Sequence, residues 1–162
     1  MSDEARSSTH LDDRGRPRMV DVTGKDVTVR TARAEGHILM APHTLERIRE
    51  GMTPKGSVLQ VAELAGIMGG KRTHELIPLC HTLPDVSLEV ALELDPSLPG
   101  VVARSQARVA GRTGVEMEAL TAVSVALLVV YDMLKSVDRG MRIEAVRLLS
   151  KAGGRSGSWS AE

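Results

Sequence analysis

The sequence contains no phenylalanine, and its only other aromatic residues are Tyr131 and Trp159. A core made without phenylalanine has to be built from valine, leucine, isoleucine, alanine and methionine. Single-stranded nucleic acids stack on aromatic side chains, so their near absence disfavours a binding module of that kind.

The chain has no formal net charge and a single cysteine. The 21 acidic and 21 basic side chains cancel, so no overall positive field favours nucleic acid or an anionic membrane as a partner. The single cysteine, Cys80, excludes an internal disulfide framework and is typical of a reducing compartment. No apolar stretch near the N-terminus resembles a signal peptide, and we expect a cytoplasmic protein.

The most informative segment is the apolar run from Ala119 to Tyr131, which has Glu116 and Glu118 before it and Asp132 and Lys135 after it. The run is too short to cross a bilayer, which takes about 20 residues. A helix that is apolar on every side is instead buried, in a core or between subunits. We therefore expect the charged groups at its ends to lie in a buried setting, where pKa values shift and acid–base chemistry becomes possible.

The length of this helix separates its two charged ends. Residues 118 and 132 of a continuous helix lie about 21 Å apart, at ~1.5 Å per residue. One small-molecule site within one subunit cannot include both ends. Either the ends serve different sites, or two subunits each contribute one end to a shared site.

The hydrophobic pattern predicts an α+β fold of one domain, with the element order β-(αα)-β-β-α-β. This is the ferredoxin-like βαββαβ sandwich, an antiparallel sheet with helices on one face, here with an inserted helix. The other sheet face, with Arg104, Gln106 and Arg108, meets either solvent or another subunit. The predicted parts are an N-terminal arm (1–18), the domain (19–152) and a flexible Gly/Ser-rich tail (153–162). The predicted elements are strand 36–40, helices 42–51 and 58–68, strands 86–94 and 101–110, a long helix within 111–135, and strand 141–150.

Several residue groups are candidates for chemistry. Asp132 and Lys135 are neighbours on one helix face and form either a surface ion pair or a catalytic pair. Glu116 and Glu118 indicate either the start of a helix, where the dipole favours acidic residues, or a pair of carboxyl groups whose pKa values are pushed apart. The adjacent Cys80 and His81 match neither a zinc site nor a Cys–His nucleophile. Cations beside glycines suit phosphate oxygens, and these are Lys55, Lys71, Arg72 and Lys151.

These residues leave three interpretations open. The first is an oligomeric enzyme that acts on a small phosphorylated molecule. The second is a non-catalytic oligomeric sensor that binds a nucleotide. The third is a metal-dependent phosphohydrolase that uses Glu116, Glu118 and His81.

Longer motifs add a resemblance to a known family. The chain resembles the molybdenum cofactor biosynthesis protein C family, the cyclic pyranopterin monophosphate synthases, over essentially its whole length. It departs from the family's pattern where Thr82 follows His81 and the proline comes only at Pro84. The matching stretches are HLDDRGRPRMVDVTGK (10–25), GKRT (70–73), LIPLCH (76–81), TGVEMEALTAVSVA (113–126), YDMLK (131–135) and VRLLSKAGGRSG (146–157).

The resemblance implies a lyase that converts (8S)-3',8-cyclo-7,8-dihydroguanosine 5'-triphosphate, a GTP-derived compound, to cyclic pyranopterin monophosphate and pyrophosphate. It implies a homohexamer, a trimer of dimers, with active sites between subunits, no required cofactor, and magnesium only as a companion of the triphosphate. The implied catalytic residues are Asp132, Lys135 and Lys55. The implied substrate-binding residues are Leu79, Cys80, His81, Glu116, Met117, Glu118 and Lys151.

The reaction needs a base for a ribose hydroxyl and cations for the departing pyrophosphate. We assign the acid–base role to Asp132 and Lys135, since buried lysines with a lowered pKa suit such work. Lys55 would be a second acid–base or phosphate-binding group, while His81 and Glu118 would hold the base or the ribose.

Overall fold

The computed structural model describes residues 11, 12, 14–51 and 56–162. The predicted catalytic residue Lys55 lies outside the described residues, as does most of the predicted N-terminal arm. The division of the chain into arm, domain and tail stays a prediction.

The described chain forms one antiparallel sheet with strand order β2-β3-β1-β4-β5 and with helices packed on one side. This order confirms the predicted ferredoxin-like α+β fold, and every predicted element is present. The elements are β1 (Thr28–Leu39), α1 (Pro42–Arg49), α2 (Val58–Lys71), α3 (Thr73–Leu76), β2 (Ser87–Asp95), β3 (Gly100–Gly111), α4 (Glu116–Leu134), β4 (Arg142–Ala152) and β5 (Trp159–Ser160).

Strand β1 is much longer than its prediction, which covered only residues 36–40. Every second residue of β1 from Ala32 onward is buried, as expected for a strand with one buried face. The first three buried positions hold the small residues Ala32, Ala34 and Gly36, and only the fourth, Ile38, is large. Small side chains give a weak hydrophobic signal, and the intervening residues include Arg33 and Glu35. The central strand of the sheet therefore reads as polar in the sequence.

Helix α4 crosses this small-residue face of the sheet and forms the centre of the core. Its fully buried residues include Ala122, Val123, Ala126 and Leu127, and it packs against α2, β1, β3 and β4. The whole helix has 19 residues and by length and composition could cross a bilayer, whereas the prediction concerned only the shorter apolar run within it, residues 119–131. It is nevertheless the core helix of this fold, with more than half of its most apolar window buried.

Glycines let helix α2 approach α4 very closely. A Cβ atom built at Gly66 would lie 2.8 Å from the backbone oxygen of Ala122, and one at Gly70 would lie 2.9 Å from that of Glu118. Separations below about 3 Å are not tolerated in packed interiors without movement of the backbone. The Gly66–Gly70 face therefore fixes the distance between the two helices, and with it the position of the first turn of α4.

The open face of the sheet carries a row of ion pairs that crosses four strands. Arg104 lies 3.0 Å from Glu93 and 3.8 Å from Glu35, and Arg147 lies 2.8 Å from Glu35. Gln106 and Arg108 are exposed on the same face, as the strand alternation predicts.

The C-terminal segment turns back along the sheet. Gly153 and Gly154 have φ values of +97° and +71°, which residues with side chains rarely adopt. The turn brings Trp159 opposite Lys151 in the short pairing of β5 with β4, an element that the sequence analysis does not predict. The flexibility of this tail stays a prediction.

Candidate functional site

A cleft of about 370 Å³ lies at the N-terminal end of α4. Seven of the ten predicted site residues line it, although they come from three separate segments of the chain. They are Leu79, Cys80, His81, Glu116, Met117, Glu118 and Lys151.

The first turn of α4 supplies the acidic wall of the cleft. Glu116 and Glu118 lie in this turn, where the helix dipole favours negative charge. The Glu116 carboxylate folds back so closely over Gly114 that a Cβ atom there would collide with it. Because Gly114 has no side chain, the Glu116 carboxylate can pack against the backbone that leads into α4.

Glu118 is the most deeply buried carboxyl group of the site, with a relative exposure of 4%. Burial raises the pKa of this carboxyl above its ordinary value, and the charge of Glu116 acts in the same direction. Its Oε2 atom is buried and has no hydrogen-bond partner among the residues that the structure describes, and an unpartnered buried oxygen is costly. A ligand that donates an N–H or O–H group to this oxygen would remove that cost.

Cys80 is the protein partner of the other Glu118 oxygen. Its Sγ donates to Glu118 Oε1 over 3.8 Å, and burial together with the Glu118 charge raises the pKa of the thiol to about 11. The side chains of Cys80 and His81 point to different partners. The pair is therefore no Cys–His nucleophile, as the sequence predicts.

We expect the Cys80 thiol to react slowly with disulfide reagents. A pKa of about 11, against an ordinary value of 9.0, lowers the thiolate fraction at pH 8, and with it the labelling rate, by about 100-fold. The Glu118→Gln variant should label faster because its neutral side chain no longer disfavours the thiolate. The measurement is the pH dependence of labelling of this single cysteine, with urea-unfolded protein as the control. Equal rates for folded and unfolded protein at pH 8 would contradict the expectation.

Four cationic residues line the same cleft as the two glutamates. Lys151 lies 3.4 Å from Glu116 and donates to Ser156 Oγ at 2.8 Å. The sequence analysis missed the other three, although Lys25 and Arg112 each follow a glycine and meet the criterion applied to Lys55 and Lys151. Arg30 gives no such signal, because it lies within β1. The four cations are Lys25, Arg30, Arg112 and Lys151.

A second cleft of about 960 Å³ adjoins the first and shares Lys25, Arg30 and Ser156 with it. Arg155 and Thr28 also line it. Together the two clefts form a continuous cationic groove. Within the described chain, all three buried side-chain oxygens that lack a hydrogen-bond partner belong to residues of this groove. They are Thr28 Oγ1, Thr113 Oγ1 and Glu118 Oε2.

The predicted catalytic pair lies at the other end of α4. Lys135 Nζ donates to Asp132 Oδ1 at 2.6 Å, and the two side chains are 55% and 56% exposed. In this subunit the hydrogen bond from Lys135 to Asp132 raises the pKa of the lysine. In the single subunit this end is therefore exposed and the lysine pKa is raised, while burial of the pair between subunits stays a prediction.

The loop that follows this pair is fastened to α1. Asp138 accepts hydrogen bonds from Ala41 N at 2.8 Å and from Thr44 Oγ1 at 3.3 Å. The Ala41 bond is the main reason that the pKa of Asp138 lies below its usual value. Asp138 thus fixes the end of α4 relative to α1.

Known proteins resemble this chain over nearly its full length. The model of the MoaC family matches residues 19–154. A cyclic pyranopterin monophosphate synthase of Methylobacterium nodulans is 62% identical over 156 residues, which cover 96% of this chain and 98% of that protein. Proteins of the same name from Cereibacter sphaeroides and Thermomicrobium roseum are 56% and 54% identical over 153 and 154 residues. Those alignments cover 94% and 95% of this chain, and 96% and 93% of the two relatives.

Proposed function

This chain belongs to the MoaC family, and from that premise we propose that its active site is completed by a second subunit. The protein is an enzyme of molybdenum cofactor biosynthesis, a lyase that forms cyclic pyranopterin monophosphate. Its proposed substrate is the cyclic dihydroguanosine triphosphate named above, with pyrophosphate as the second product.

One observation carries the proposal. Seven of the ten predicted site residues meet in a single cationic cleft, while Asp132 and Lys135 occupy the opposite end of the same helix. At ~1.5 Å per residue, a rigid helix keeps Asp132 about 21 Å and Lys135 about 25 Å from Glu118. A second copy that places its Asp132–Lys135 end at this cleft would bring the acid–base pair to the bound substrate.

The cleft matches the two halves of the proposed substrate. The triphosphate carries several negative charges, and Lys25, Arg30 and Lys151 offer charge-assisted hydrogen bonds to its oxygens. The guanine-derived ring is rich in N–H donors, which suit the unpartnered Glu118 oxygen. The substrate would thus lie with its ring at the first turn of α4 and its phosphates along the groove toward Arg155.

The cyclic phosphate forms by an internal displacement. A base takes the proton of a ribose hydroxyl, the oxygen attacks the α-phosphorus, and the bond to the β-phosphate oxygen breaks, so pyrophosphate leaves. Cations at the phosphates stabilise the charge on the departing group. Asp132 and Lys135 of the second subunit would exchange protons with the substrate, and Lys55 would act as a further acid–base or phosphate-binding group.

Burial by the second subunit would change the catalytic pair. An ammonium group that loses contact with water becomes easier to deprotonate, which opposes the rise in the Lys135 pKa caused by Asp132. Large apolar side chains on the helical layer support such a contact, because they are exposed in the single subunit. They are Val61 (43%), Leu64 (60%), Met68 (49%) and Leu128 (57%).

We propose the homohexamer of three dimers as the assembly and the cytoplasm as the location. The proposed reaction uses acid–base groups and cationic side chains of the protein, and we assign it no resident cofactor. Magnesium would enter with the triphosphate as part of the substrate.

The test of the function is pyrophosphate release from the cyclic dihydroguanosine triphosphate under anaerobic conditions, with the oxidised fluorescent pterin as the second readout. Wild type should turn over, and Lys151→Met should raise KM by about 10- to 100-fold, because a hydrogen bond to a charged group contributes about 1.5–3 kcal/mol. Arg47→Met, which removes an exposed cation of α1, is the matched control and should leave KM unchanged.

Substrate binding by wild type without any product would support the sensor interpretation instead. Activity that a chelator abolishes and a divalent ion restores would support the phosphohydrolase interpretation. Equal KM values for Lys151→Met and Arg47→Met would remove Lys151 from the phosphate site.

A further inference from the structure

One wall of the cleft is an irregular segment, residues 18–27, that precedes β1; we refer to it as the strap. Val20, Val22 and Lys25 of the strap line the cleft. Two internal turns shape it: Asp21 Oδ1 accepts from Thr23 N at 2.8 Å, and Val22 O accepts from Lys25 N at 3.0 Å. These turns determine the local shape of the strap but do not attach it to the domain.

Two side chains of the domain attach the strap through its backbone oxygens. His81 Nε2 lies 2.8 Å from Val20 O, and Arg112 Nε donates to Lys25 O at 2.9 Å. Because a carbonyl oxygen only accepts hydrogen bonds, His81 Nε2 must carry the hydrogen. Only Nδ1 of this ring then remains for a substrate contact.

The two attachment points come from the two loops that build the cleft. His81 ends the Leu79–His81 segment, and Arg112 begins the turn that leads into α4. Each loop therefore presents groups to the cleft and also holds one point of the strap. The second point is Lys25 itself, whose backbone oxygen accepts the bond from Arg112 and which also lines the cleft.

We propose that His81 and Arg112 are positioning residues that hold the strap and so place the Lys25 ammonium group at the phosphate end of the substrate. This inference rests on the proposed function, which puts a triphosphate in the cleft. It assigns to His81 Nε2 a structural hydrogen bond to the strap, in place of the contact with the base or the ribose that the sequence analysis assigns to this side chain. It also gives Arg112 a role through the strap backbone as well as through its charge.

The first test is hydrogen–deuterium exchange of the strap amides in the full-length oligomer. His81→Asn and Arg112→Ala should raise exchange in residues 18–27 by about 10-fold, in line with the loss of a hydrogen bond of about 1.4 kcal/mol. His81→Gln keeps an N–H donor near the Nε2 position and should behave like wild type. His37→Asn, on the open face of the sheet, is the control for loss of a histidine elsewhere. Unchanged strap exchange in His81→Asn would overturn the proposal.

The second test asks whether His81 acts through Lys25. Affinity for inorganic tripolyphosphate, measured by calorimetry, should fall about 10-fold in Lys25→Met and in His81→Asn, whereas the double variant should lose little more than either one. Independent, multiplicative losses would overturn the proposal. Neither readout requires turnover. A wild-type protein without synthase activity would refute the proposed function, and the two tests would still decide whether His81 and Arg112 hold the strap.

Discussion

Two inactive variants of this chain are expected to restore each other's activity when they share an oligomer. Asp132→Asn and Glu118→Gln should each lower kcat at least about 100-fold, because each removes a group that the reaction uses. Glu118 belongs to the cleft at the start of α4, and Asp132 lies at its end. A site shared between two subunits can then combine the intact cleft of one variant with the intact pair of the other.

The size of the recovery follows from random mixing. In an oligomer with equal amounts of both chains, about a quarter of the shared sites receive both wild-type halves. The experiment is coexpression of the two variants with different affinity tags, purification through both tags, and comparison of pyrophosphate release with each variant alone. Recovery near a quarter of wild-type activity would support a shared site.

The same experiment can refute the shared site. If one subunit contained the whole site, every chain would carry one lesion and the mixed oligomer would be as inactive as its parents. Asp132→Asn mixed with Lys135→Ala is the matched control. Both lesions then lie in the same half of the site, so we expect no recovery there under either arrangement.

Gly66→Leu should be the most destabilising single substitution on α2. A Cβ atom alone already comes within 2.8 Å of the Ala122 backbone oxygen and 3.1 Å of Ala126 Cβ, so a leucine forces α2 away from α4. Overpacking of a tight core costs typically 1–3 kcal/mol and sometimes more. We expect a cost of about 3 kcal/mol, the upper end of that range, so at about 2–4 °C per kcal/mol for a chain of this size Tm should fall by roughly 6–12 °C or the chain should fail to fold.

A graded series separates this steric effect from helix propensity. Gly66→Ala gains about 1 kcal/mol of intrinsic helix propensity but still places a methyl group against the α4 backbone, so it should lower Tm modestly. Gln60→Leu adds the same leucine at an exposed position of α2 and should change Tm by less than about 2 °C. Thermal unfolding followed by circular dichroism measures all three. A Gly66→Leu protein as stable as Gln60→Leu would show that the helices can separate freely.

Much of the fold was predictable because its strongest signals are local. The alternation in β2 and β3 identified the hairpin and its two faces, since one face of each strand is buried. The central strand β1 was mostly missed, because alanines and a glycine fill its buried face beneath α4. Strand β5 was missed because its two residues are ordered only by pairing with Ser150 and Lys151.

The site was predicted unevenly for a related physical reason. Family motifs identified the residues of the cleft that lie in short contiguous runs. They did not identify Arg30, which reaches the cleft from inside a strand, or Arg112, whose hydrogen bond to the strap joins positions 87 residues apart. The expected burial of Asp132 and Lys135 depends on a surface that one chain cannot show, because a partner subunit would have to supply it.

Because the chain has one tryptophan, one tyrosine and no phenylalanine, its intrinsic fluorescence can be assigned to single residues. Trp159 is the single indole of the chain and pairs with Lys151 across the edge of the sheet, so its emission reports on the basic wall of the groove without an added dye. Tyr131 is the single phenol and precedes Asp132 at the far end of α4. In an oligomer with shared sites, each of these residues would lie beside a residue of the same site: Tyr131 of one chain next to Asp132 in sequence, and Trp159 of the other paired with Lys151. Energy transfer from Tyr131 to Trp159 would then report subunit contact, in a spectrum free of other emitters.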